Sequence, residues 1–497
     1  MLRYLTYIIT LMHCLLHSAP AAAQAEFSRA DVLADLKETA AILQRVHPNL
    51  TAHRSRSDLD TRFSSIRNSV GEQSTFFEAA AHIQKMLASV CDGHTGITGR
   101  YLTTKIQPSM LGLMQDILIA RNGKLTLFDG RIVEQLNEID GKDALQALLS
   151  LNPWDGCAKG DFFAPLYVSP LPEFLFSHWV GLDPAHQAKL RRRDDDSAVD
   201  KRLRGTFATT FFNTRMRRNR ETITALPGML QRNGMDFASK WTAQRAEWDQ
   251  NKLLIAFSQD NKTAYFRIEQ FLETDEQRQA VADIMRKIIK KDPEHLILDL
   301  SGNPGGWIDA TGHLMSFLLR RAHRPAVAVR MRDTKFDKRG KFTYLSKQRQ
   351  RASRKSVRQF RRVKPRNGTR LLRYTRRRYG NPSFNGRLTI MVGPRTFSAA
   401  TMAVTTLRTV RRAPTRVVGL AMGGSNHTSC FAASGYYTLP RTKLQIAVPS
   451  MCYDRQRGKR RPDDTLRVDV PVNPHRGSLY LLRNDLFKAA FDTSAGW

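Results

Sequence analysis

The chain has 497 residues, and its 79 Lys and Arg against 45 Asp and Glu give a formal net charge of +34. This length allows two or three domains with substantial buried cores. After the N-terminal segment no run of about 18 apolar residues occurs, so the sequence predicts no transmembrane span. The chain lacks base-reading motifs, so nucleic acid is not an expected partner despite the positive charge.

The N-terminal segment has the pattern of a secretory signal peptide. A basic start precedes an apolar run from Leu5 to Leu16, and small residues at cleavage spacing follow up to Ala25. We expect residues 1–25 to be removed on export, which gives a periplasmic or secreted protein.

The sequence predicts a largely helical region over residues 26–105. Phe76 to Val90 has a helical pattern and leads into the polar turn Cys91-Asp92-Gly93-His94-Thr95. A lone histidine in such a turn is more often structural than catalytic, so His94 gains a functional interpretation only from other segments.

The middle region, residues 106–250, is harder to interpret. Gly130 to Gly141 resembles the end of a peptide-binding PDZ module, but the rest of such a module is not recognisable. We expect only a partial PDZ-like segment here. Scattered helical patterns follow, such as that from Gly234 to Gln250.

Residues 251–497 are expected to form a β/α region. Leu296 to Leu300 is a buried-strand run that ends in the turn Ser301-Gly302-Asn303-Pro304-Gly305-Gly306-Trp307. Glycines in a turn allow backbone N–H groups to approach a substrate carbonyl, as an oxyanion hole requires. The alternative is an ordinary tight turn.

A basic insertion follows, over residues 320–378, and it contains 24 Lys and Arg but 2 acidic residues. Such a run repels itself, so a mobile or loosely helical arm is expected. The functional alternative is a surface for an anionic partner, such as an acidic polypeptide, a phospholipid surface or an anionic cell-envelope polymer.

A strand-like run from Leu388 to Val392 precedes Ser398. A serine at a strand-to-helix turn has an exposed hydroxyl beside unpaired helix N–H groups, which is the geometry that a nucleophile needs. The alternative is that Ser398 only caps the helix.

Four cysteines remain after the signal peptide, an even number that permits two disulfides in an exported chain. Cys430 and Cys452 lie at nearly equal distances from a turn at Pro440, which would place them opposite each other on a hairpin. Cys91 would then pair with Cys157. No cysteine pair has C-x-x-C spacing, so neither a metal site nor another cofactor is expected.

Three of these segments, in this order, resemble the C-terminal processing and tricorn-type serine peptidases, also called tail-specific proteases. They are the Asp-Gly-His turn at His94, the Asn-Pro-Gly-Gly turn at Gly305, and Thr396-Phe397-Ser398-Ala399. The resemblance implies an α/β fold with a crotonase/ClpP-like β/α catalytic core, a helical N-terminal region and a long basic insertion. It covers roughly residues 76–105 and 260–490, and it implies a peptide or protein substrate.

The resemblance also implies a subtype and a mechanism. The serine–lysine subtype carries its base in a Gly-Lys-Gly turn, whereas this chain has Gly423-Gly424-Ser425. The tricorn-like subtype uses the histidine, so His94 would accept the proton of Ser398, and the N–H groups of Gly305 and Ala399 would stabilise the oxyanion.

A carboxylate should orient the histidine. Tricorn-like relatives use a glutamate before a Pro-Asp-x-x-Val segment, and the acids that precede the similar stretch here are Asp463 and Asp464. Asp464 is the predicted third residue; the alternative is that both aspartates only balance Arg460 and Arg461. Two other functions remain open: a ligand-binding protein on the same fold, like the retinoid carriers of the family, or an esterase-like hydrolase.

Overall fold

The computed structural model describes residues 26–98, 253–320, 322, 328–373, 380–393, 395–420, 422–424, 428–430, 435–454, 468–472 and 486–492. Between residues 112 and 244 it describes the backbone of strands only. The predicted signal peptide lies outside these residues, as do Cys157 and Asp464.

Helices dominate the first described segment. Its elements are β1 (Phe27–Ser28), α1 (Arg29–Val46), α2 (Arg56–Asn68), β2 (Gln73–Ser74), α3 (Phe76–Ala88) and β3 (Gly96–Ile97). α1 and α3 begin with capping boxes at Ser28 and Thr75. Each hydroxyl accepts a hydrogen bond from the backbone N–H three residues later, and the acidic side chain of that later residue accepts one from the backbone N–H of the capping residue. Residues before proline avoid helical backbone angles, so α1 ends just before His47-Pro48.

The middle region forms one antiparallel sheet from most of its described strands. The strands are β4 (Gly112–Met114), β5 (Leu118–Arg121), β6 (Lys124–Leu127), β7 (Ile132–Gln135), β8 (Phe162–Phe163), β9 (Gln187–Asp194), β10 (Ser197–Phe207) and β11 (Trp241–Gln244). Their order in the sheet is β4-β10-β9-β7-β6-β5-β8, and β11 belongs to the next sheet. The helical pattern proposed for residues 234–250 is therefore wrong at β11, where pairing with a neighbouring strand overrides the local pattern.

The remaining described residues alternate strands with helices. The elements are β12 (Leu253–Ser258), β13 (Thr263–Ile268), α4 (Asp275–Lys291), β14 (His295–Asp299), α5 (Ile308–Ser316), β15 (Ala328–Met331), β16 (Lys341–Tyr344), α6 (Lys347–Arg361), β17 (Arg370–Arg373), β18 (Arg387–Val392), α7 (Ala399–Val410), β19 (Thr415–Gly419), β20 (Thr428–Cys430), β21 (Gly435–Thr438), β22 (Gln445–Ala447), β23 (Met451–Asp454) and β24 (Val470–Pro471). The fold is α/β, as the sequence predicts.

A seven-stranded sheet of order β11-β12-β13-β14-β18-β19-β24 forms the core, and it is parallel from β13 to β24. Every residue of β14 is buried, as expected for a central parallel strand covered on both faces. In the β14–β18 register, Asp299 lies opposite Met391. The loops after these two strands therefore leave the sheet side by side, which brings the glycine-rich turn next to the loop of Ser398.

The basic insertion is folded where the structure describes it, so the expectation of a mobile arm is wrong for residues 328–373. β15 pairs with β17 and β23, β16 pairs with β21, and α6 lies between β16 and β17. Phe336, Val357 and Phe360 are buried in the same apolar cluster as the N-terminal helices. Burial of these three apolar side chains stabilises the folded insertion despite the repulsion among the surrounding cations.

Contacts between distant parts of the chain fix the N-terminal helices against the β/α region. Asp35 of α1 is buried, and its carboxylate accepts hydrogen bonds from the backbone N–H of Arg441 (3.0 Å) and Thr442 (2.7 Å) in the β21–β22 turn. β3 pairs with β22 through Ile97 and Ile446. β3 directly follows the turn that carries His94, so this strand pairing holds the end of the turn in place.

The Sγ atoms of Cys430 and Cys452 lie 2.00 Å apart, at disulfide distance. The two residues face each other in the antiparallel pair β20–β23, and the predicted hairpin β21–β22 lies between them in sequence. The pairing of Cys91 with Cys157 stays a prediction.

We expect non-reducing peptide mapping of the oxidatively folded protein to recover the Cys430 and Cys452 peptides joined. The bridge spans a sequence separation of 22 residues. It restricts the unfolded chain, so a Cys430→Ser, Cys452→Ser double variant should lose ~3 kcal/mol of unfolding free energy. Recovery of both cysteines as free thiols would contradict this expectation.

Candidate active site

Ser398 occupies the position before α7 but does not cap the helix. Its side chain makes no capping hydrogen bond, and its backbone has φ 52° and ψ −118°. A positive φ is unusual for a residue with a side chain, and such strain concentrates at functional sites. The capping interpretation of Ser398 is therefore wrong, because its hydroxyl points elsewhere.

The hydroxyl points to His94. The distance between Ser398 Oγ and His94 Nε2 is 3.1 Å, which is a hydrogen bond across 304 positions of sequence. The imidazole also stacks on the ring of Phe397, with centroids 4.5 Å apart and planes inclined by 24°. Stacking restricts ring rotation, so the histidine is held beside Ser398 from two directions.

Asp92 shapes the turn that presents His94. Its Oδ1 accepts the backbone N–H of His94 at 3.2 Å, and its Oδ2 accepts the hydroxyl of Thr95 at 2.8 Å. Such bonds from an aspartate to its following residues favour a tight turn. His94 Nδ1 also lies 3.5 Å from Asp92 Oδ1, and catalytic contacts of this length often shorten when substrate binds.

His47 supports Asp92 from behind. His47 Nδ1 accepts the backbone N–H of Asn49 at 3.3 Å, so in the neutral ring Nε2 carries the proton. That Nε2 donates to Asp92 Oδ2 at 3.2 Å. His47 is buried, with 1% of its side chain exposed, and lies directly after α1.

These contacts keep Asp92 ionised. Burial alone would raise the pKa of its carboxyl, but hydrogen bonds from His47 and His94, and the attraction of either ring in its protonated form, outweigh burial. The pKa of Asp92 is therefore held well below its usual value. A permanent negative charge stands next to His94.

Sequence reasoning used Asp92 only as part of a motif and missed His47. A His-Pro pair after a helix gives no sign that the ring reaches a turn 45 residues later. The described residues bring together Ser398, His94, Asp92 and His47; Asp464, the predicted third residue, lies outside them.

The glycine-rich turn lies against Ser398, but Gly305 is not a free donor. Its N–H donates to Asn303 Oδ1 at 2.7 Å and is therefore used inside the turn in this structure, while its oxyanion role stays a prediction. Gly305 has φ +97°, and a Cβ there would lie 2.7 Å from Phe397 O and 2.8 Å from Ala399 N. Glycine is required because the two loops approach so closely.

Further bonds tie these two loops together. Phe397 N–H donates to Asn303 O at 3.1 Å, and the Thr396 hydroxyl donates to Leu300 O at 2.8 Å. Ala399 begins α7, and the first N–H groups of a helix have no partner within the helix. The N–H of Ala399 is thus the predicted oxyanion donor that the geometry still favours.

A buried ionic network lies under the turn. Arg267 Nη1 donates to Asp299 Oδ2 at 2.7 Å, and Arg267 also pairs with Glu269. Asp299 Oδ1 accepts both the N–H and the hydroxyl of Ser301, at 2.9 and 2.6 Å. Desolvation opposes ionisation of Asp299, but the charge of Arg267 and these hydrogen bonds hold its pKa below the usual value. The network stabilises the start of the glycine-rich turn.

His47 also lies near the cysteine pair. Ligand atoms of His47, Cys430 and Cys452 all fall within 4.8 Å of one another. Since the two sulfurs are at disulfide distance, they have no thiolates to offer a metal ion as the structure stands.

Residues 262–432 match the sequence model of peptidase family S41. Residues 262–432 therefore form a peptidase family S41 domain. This domain includes the glycine-rich turn, the basic insertion and Ser398, and the match identifies a serine-type peptidase. No curated protein matches the chain in sequence.

Two solved structures of CPAF have a similar fold. A CPAF mutant is 12% identical with a TM-score of 0.54, over 94% of this chain and 96% of CPAF. Mature CPAF complexed with lactacystin is 12% identical with a TM-score of 0.52, over 93% and 98%. The photosystem II D1 C-terminal processing protease is 12% identical with a TM-score of 0.40, over 94% and 98%. Among the described residues, no helix has the length and apolar character needed to span a membrane.

Proposed function

We propose that the protein is an exported serine endopeptidase in which Ser398 is the nucleophile and His94 the general base. The observation that carries this proposal is the 3.1 Å contact between Ser398 Oγ and His94 Nε2. A serine hydroxyl is a poor nucleophile at neutral pH unless an adjacent base accepts its proton. The lysine of the serine–lysine subtype is replaced here by Gly423-Gly424-Ser425, which favours histidine as the base.

The reaction proceeds in two halves. Ser398 Oγ attacks the substrate carbonyl while its proton passes to His94 Nε2. The tetrahedral oxyanion accepts a hydrogen bond from the N–H of Ala399. His94 then gives the proton to the leaving amine, and the acyl chain stays on Ser398 Oγ. In the second half a water molecule attacks the acyl carbon while His94 accepts its proton. The ester bond to Ser398 Oγ then breaks, His94 returns the proton to Oγ, and the fragment with the new carboxyl terminus leaves.

Asp92 takes the role of the orienting carboxylate in this proposal. It is ionised, and its Oδ1 faces the ring nitrogen of His94 that does not meet Ser398. The carboxylate therefore stabilises the imidazolium that forms when His94 accepts a proton. His47 is a positioning residue, because it holds the other oxygen of Asp92.

Export remains a proposal based on the N-terminal sequence. Likewise, the basic insertion is proposed to recruit an anionic partner without taking part in bond cleavage.

The function is tested by offering the purified mature protein three ligands in parallel: an unfolded polypeptide, an activated ester and a retinoid. We expect mass spectrometry to find peptide products from the polypeptide, and inactivation by a fluorophosphonate to stop their formation. Ester hydrolysis without peptide products would favour the esterase alternative. Retinoid binding without either hydrolysis would favour the binding protein.

A further inference from the structure

Three side chains that can bind a metal ion come together at His47. They are His47 itself, directly after α1, Cys430 at the end of β20 and Cys452 in β23. One ring nitrogen of His47 and the two sulfurs lie within 4.8 Å of one another, and all three residues are buried. The sulfurs are bonded to each other in the structure. Reduction of this single bond would turn the group into a set of three ligands.

The backbone holds the two cysteines in place whether or not their sulfurs are bonded. Cys430 and Cys452 face each other in the antiparallel pair β20–β23. β23 also pairs with β15, where Cys452 lies opposite Arg330. Cys452 therefore lies in a strand with neighbours on both sides and stays in position after reduction. Rotation about the Cα–Cβ bonds can then separate the sulfurs to the ~3.8 Å that tetrahedral coordination with Zn–S bonds of about 2.3 Å requires.

The hydrogen bonds of His47 suit a zinc ligand. Metal-bound histidines usually donate the N–H of their second ring nitrogen to a carboxylate or a carbonyl. His47 Nε2 donates to Asp92 Oδ2 at 3.2 Å, so such a carboxylate is present. His47 Nδ1 carries the lone pair that a cation needs, and it accepts only the long bond of 3.3 Å from the Asn49 N–H. A cation that binds Nδ1 would displace one weak hydrogen bond.

The kind of ligand selects the ion. Thiolate and imidazole favour Zn²⁺, whereas Mg²⁺ and Ca²⁺ prefer oxygen ligands. A buried cation is costly unless its charge is compensated. Two thiolates balance the charge of Zn²⁺, but they would leave a monovalent copper ion with an excess of negative charge. Three protein ligands with a fourth position open to water is a common coordination of Zn²⁺.

We propose that reduction of the Cys430–Cys452 bond creates a Zn²⁺ site with His47, and that zinc in this site inhibits the peptidase. A thiolate of a dithiol reductant attacks one sulfur, and its second thiol then closes a cyclic disulfide. The reductant thereby supplies two electrons and two protons, and it leaves two cysteine thiols. Zn²⁺ then replaces the two thiol protons.

Inhibition follows from the contacts of His47, and this half of the inference rests on the proposed function. An ion on His47 stands one side chain away from Asp92, which faces His94. Bound through Nδ1, its positive charge offsets the stabilisation that Asp92 gives to the imidazolium of His94. Bound through Nε2, it removes the hydrogen bond that holds Asp92. Either nitrogen therefore weakens the base, while the oxidised protein stays free of zinc and active.

Metal binding is measured first on the Ser398→Ala variant, in which no self-cleavage can occur. The protein is reduced with a dithiol, freed of the reductant and titrated without oxygen with Zn²⁺ against a competing chelator. A parallel titration uses Co²⁺, because cobalt–thiolate complexes absorb strongly in the near ultraviolet and report their ligands without any activity. Circular dichroism and a thiol count verify that the reduced protein is folded and that Cys430 and Cys452 are free.

Two variants identify the ligands. The double variant Cys430→Ser, Cys452→Ser keeps Cys91 and Cys157, so thiolate binding that persists in it belongs to those residues. It also keeps the catalytic residues, so zinc bound directly at the active site is counted in both proteins. His47→Gln removes the third ligand but leaves the cysteine pair intact.

We expect the reduced protein to bind one Zn²⁺ more per chain than the double variant, with the thiolate band of Co²⁺ at that site. His47→Gln should bind this ion more weakly by roughly tenfold or more, because even changes outside the ligand shell cost about 10- to 100-fold in affinity. In protein that retains Ser398, zinc should lower the kcat of the reduced form by roughly tenfold more than that of the double variant. A chelator should restore kcat.

Equal zinc stoichiometry in the reduced protein and the double variant would overturn the inference, and so would a Co²⁺ complex without the thiolate band. It also fails if the folded protein keeps the Cys430–Cys452 bond in excess dithiol, or unfolds when that bond is reduced, because the site then cannot form. Zinc binding with unchanged kcat would contradict the inhibition. If the zinc-free protein cleaves no polypeptide, the proposed function fails, while the cobalt spectrum still decides the metal site.

Discussion

Replacing His94 with alanine should lower kcat/KM for peptide cleavage by roughly 10⁴- to 10⁶-fold, and Ser398→Ala should do the same. Ser398 loses the group that accepts its proton when His94 is removed, and the attack then requires an unactivated hydroxyl. The double variant should be no worse than either single variant, because residues that act as one unit show strongly non-additive losses.

Two control variants make this result specific. Ser69→Ala and His313→Ala remove a serine and a histidine from the ends of α2 and α5 and should retain activity. Thermal unfolding of all four single variants should show a folded protein. Full activity in folded His94→Ala protein would contradict the role of His94 as base.

The second large effect is expected for Asp92→Asn, which should lower kcat by roughly 10²- to 10⁴-fold with little change in KM. Asparagine keeps the size and most hydrogen bonds of the turn, but it carries no charge to stabilise the imidazolium of His94. The matched comparison is Asp464→Asn, which should change kcat little if Asp92 is the orienting carboxylate.

The opposite ranking, with a large loss of kcat in Asp464→Asn and a small loss in Asp92→Asn, would identify Asp464 as the carboxylate that orients His94. His47→Gln gives a further check, because glutamine can still donate to Asp92. It should retain more activity than His47→Leu, which leaves the carboxylate without that donor. The unfolding free energy of each variant separates a loss of chemistry from a loss of fold, which matters because removing a partner of a buried charge is destabilising.

The sequence was sufficient to predict that Ser398 and His94 meet, and their side chains lie within hydrogen-bond distance. Ser398 and His94 each lie in a short motif whose residues set the local turn, and the order of the motifs implied that the turns meet. The parallel pairing of β14 and β18 explains why the glycine-rich turn and the Ser398 loop lie together.

Contacts between distant segments could not be predicted from the same motifs. His47 reaches Asp92 only because α1 packs against α3. The N–H of Gly305 donates to the side chain of Asn303, and the spacing of residues in the motif does not predict that side-chain conformation. The basic insertion was misjudged because its charge dominated the composition. Val357 and Phe360, three positions apart, already indicated an apolar side of α6.

The account depends above all on Ser398 being activated by His94, and covalent labelling measures this directly. The mature protein is treated with a fluorophosphonate, digested, and the adduct is located by mass spectrometry. We predict a single modified serine, Ser398, with labelling lost in Ser398→Ala and slowed at least a hundredfold in His94→Ala, in line with the usual contribution of a general base. An adduct on another residue, or undiminished labelling of Ser398 without His94, would contradict the account.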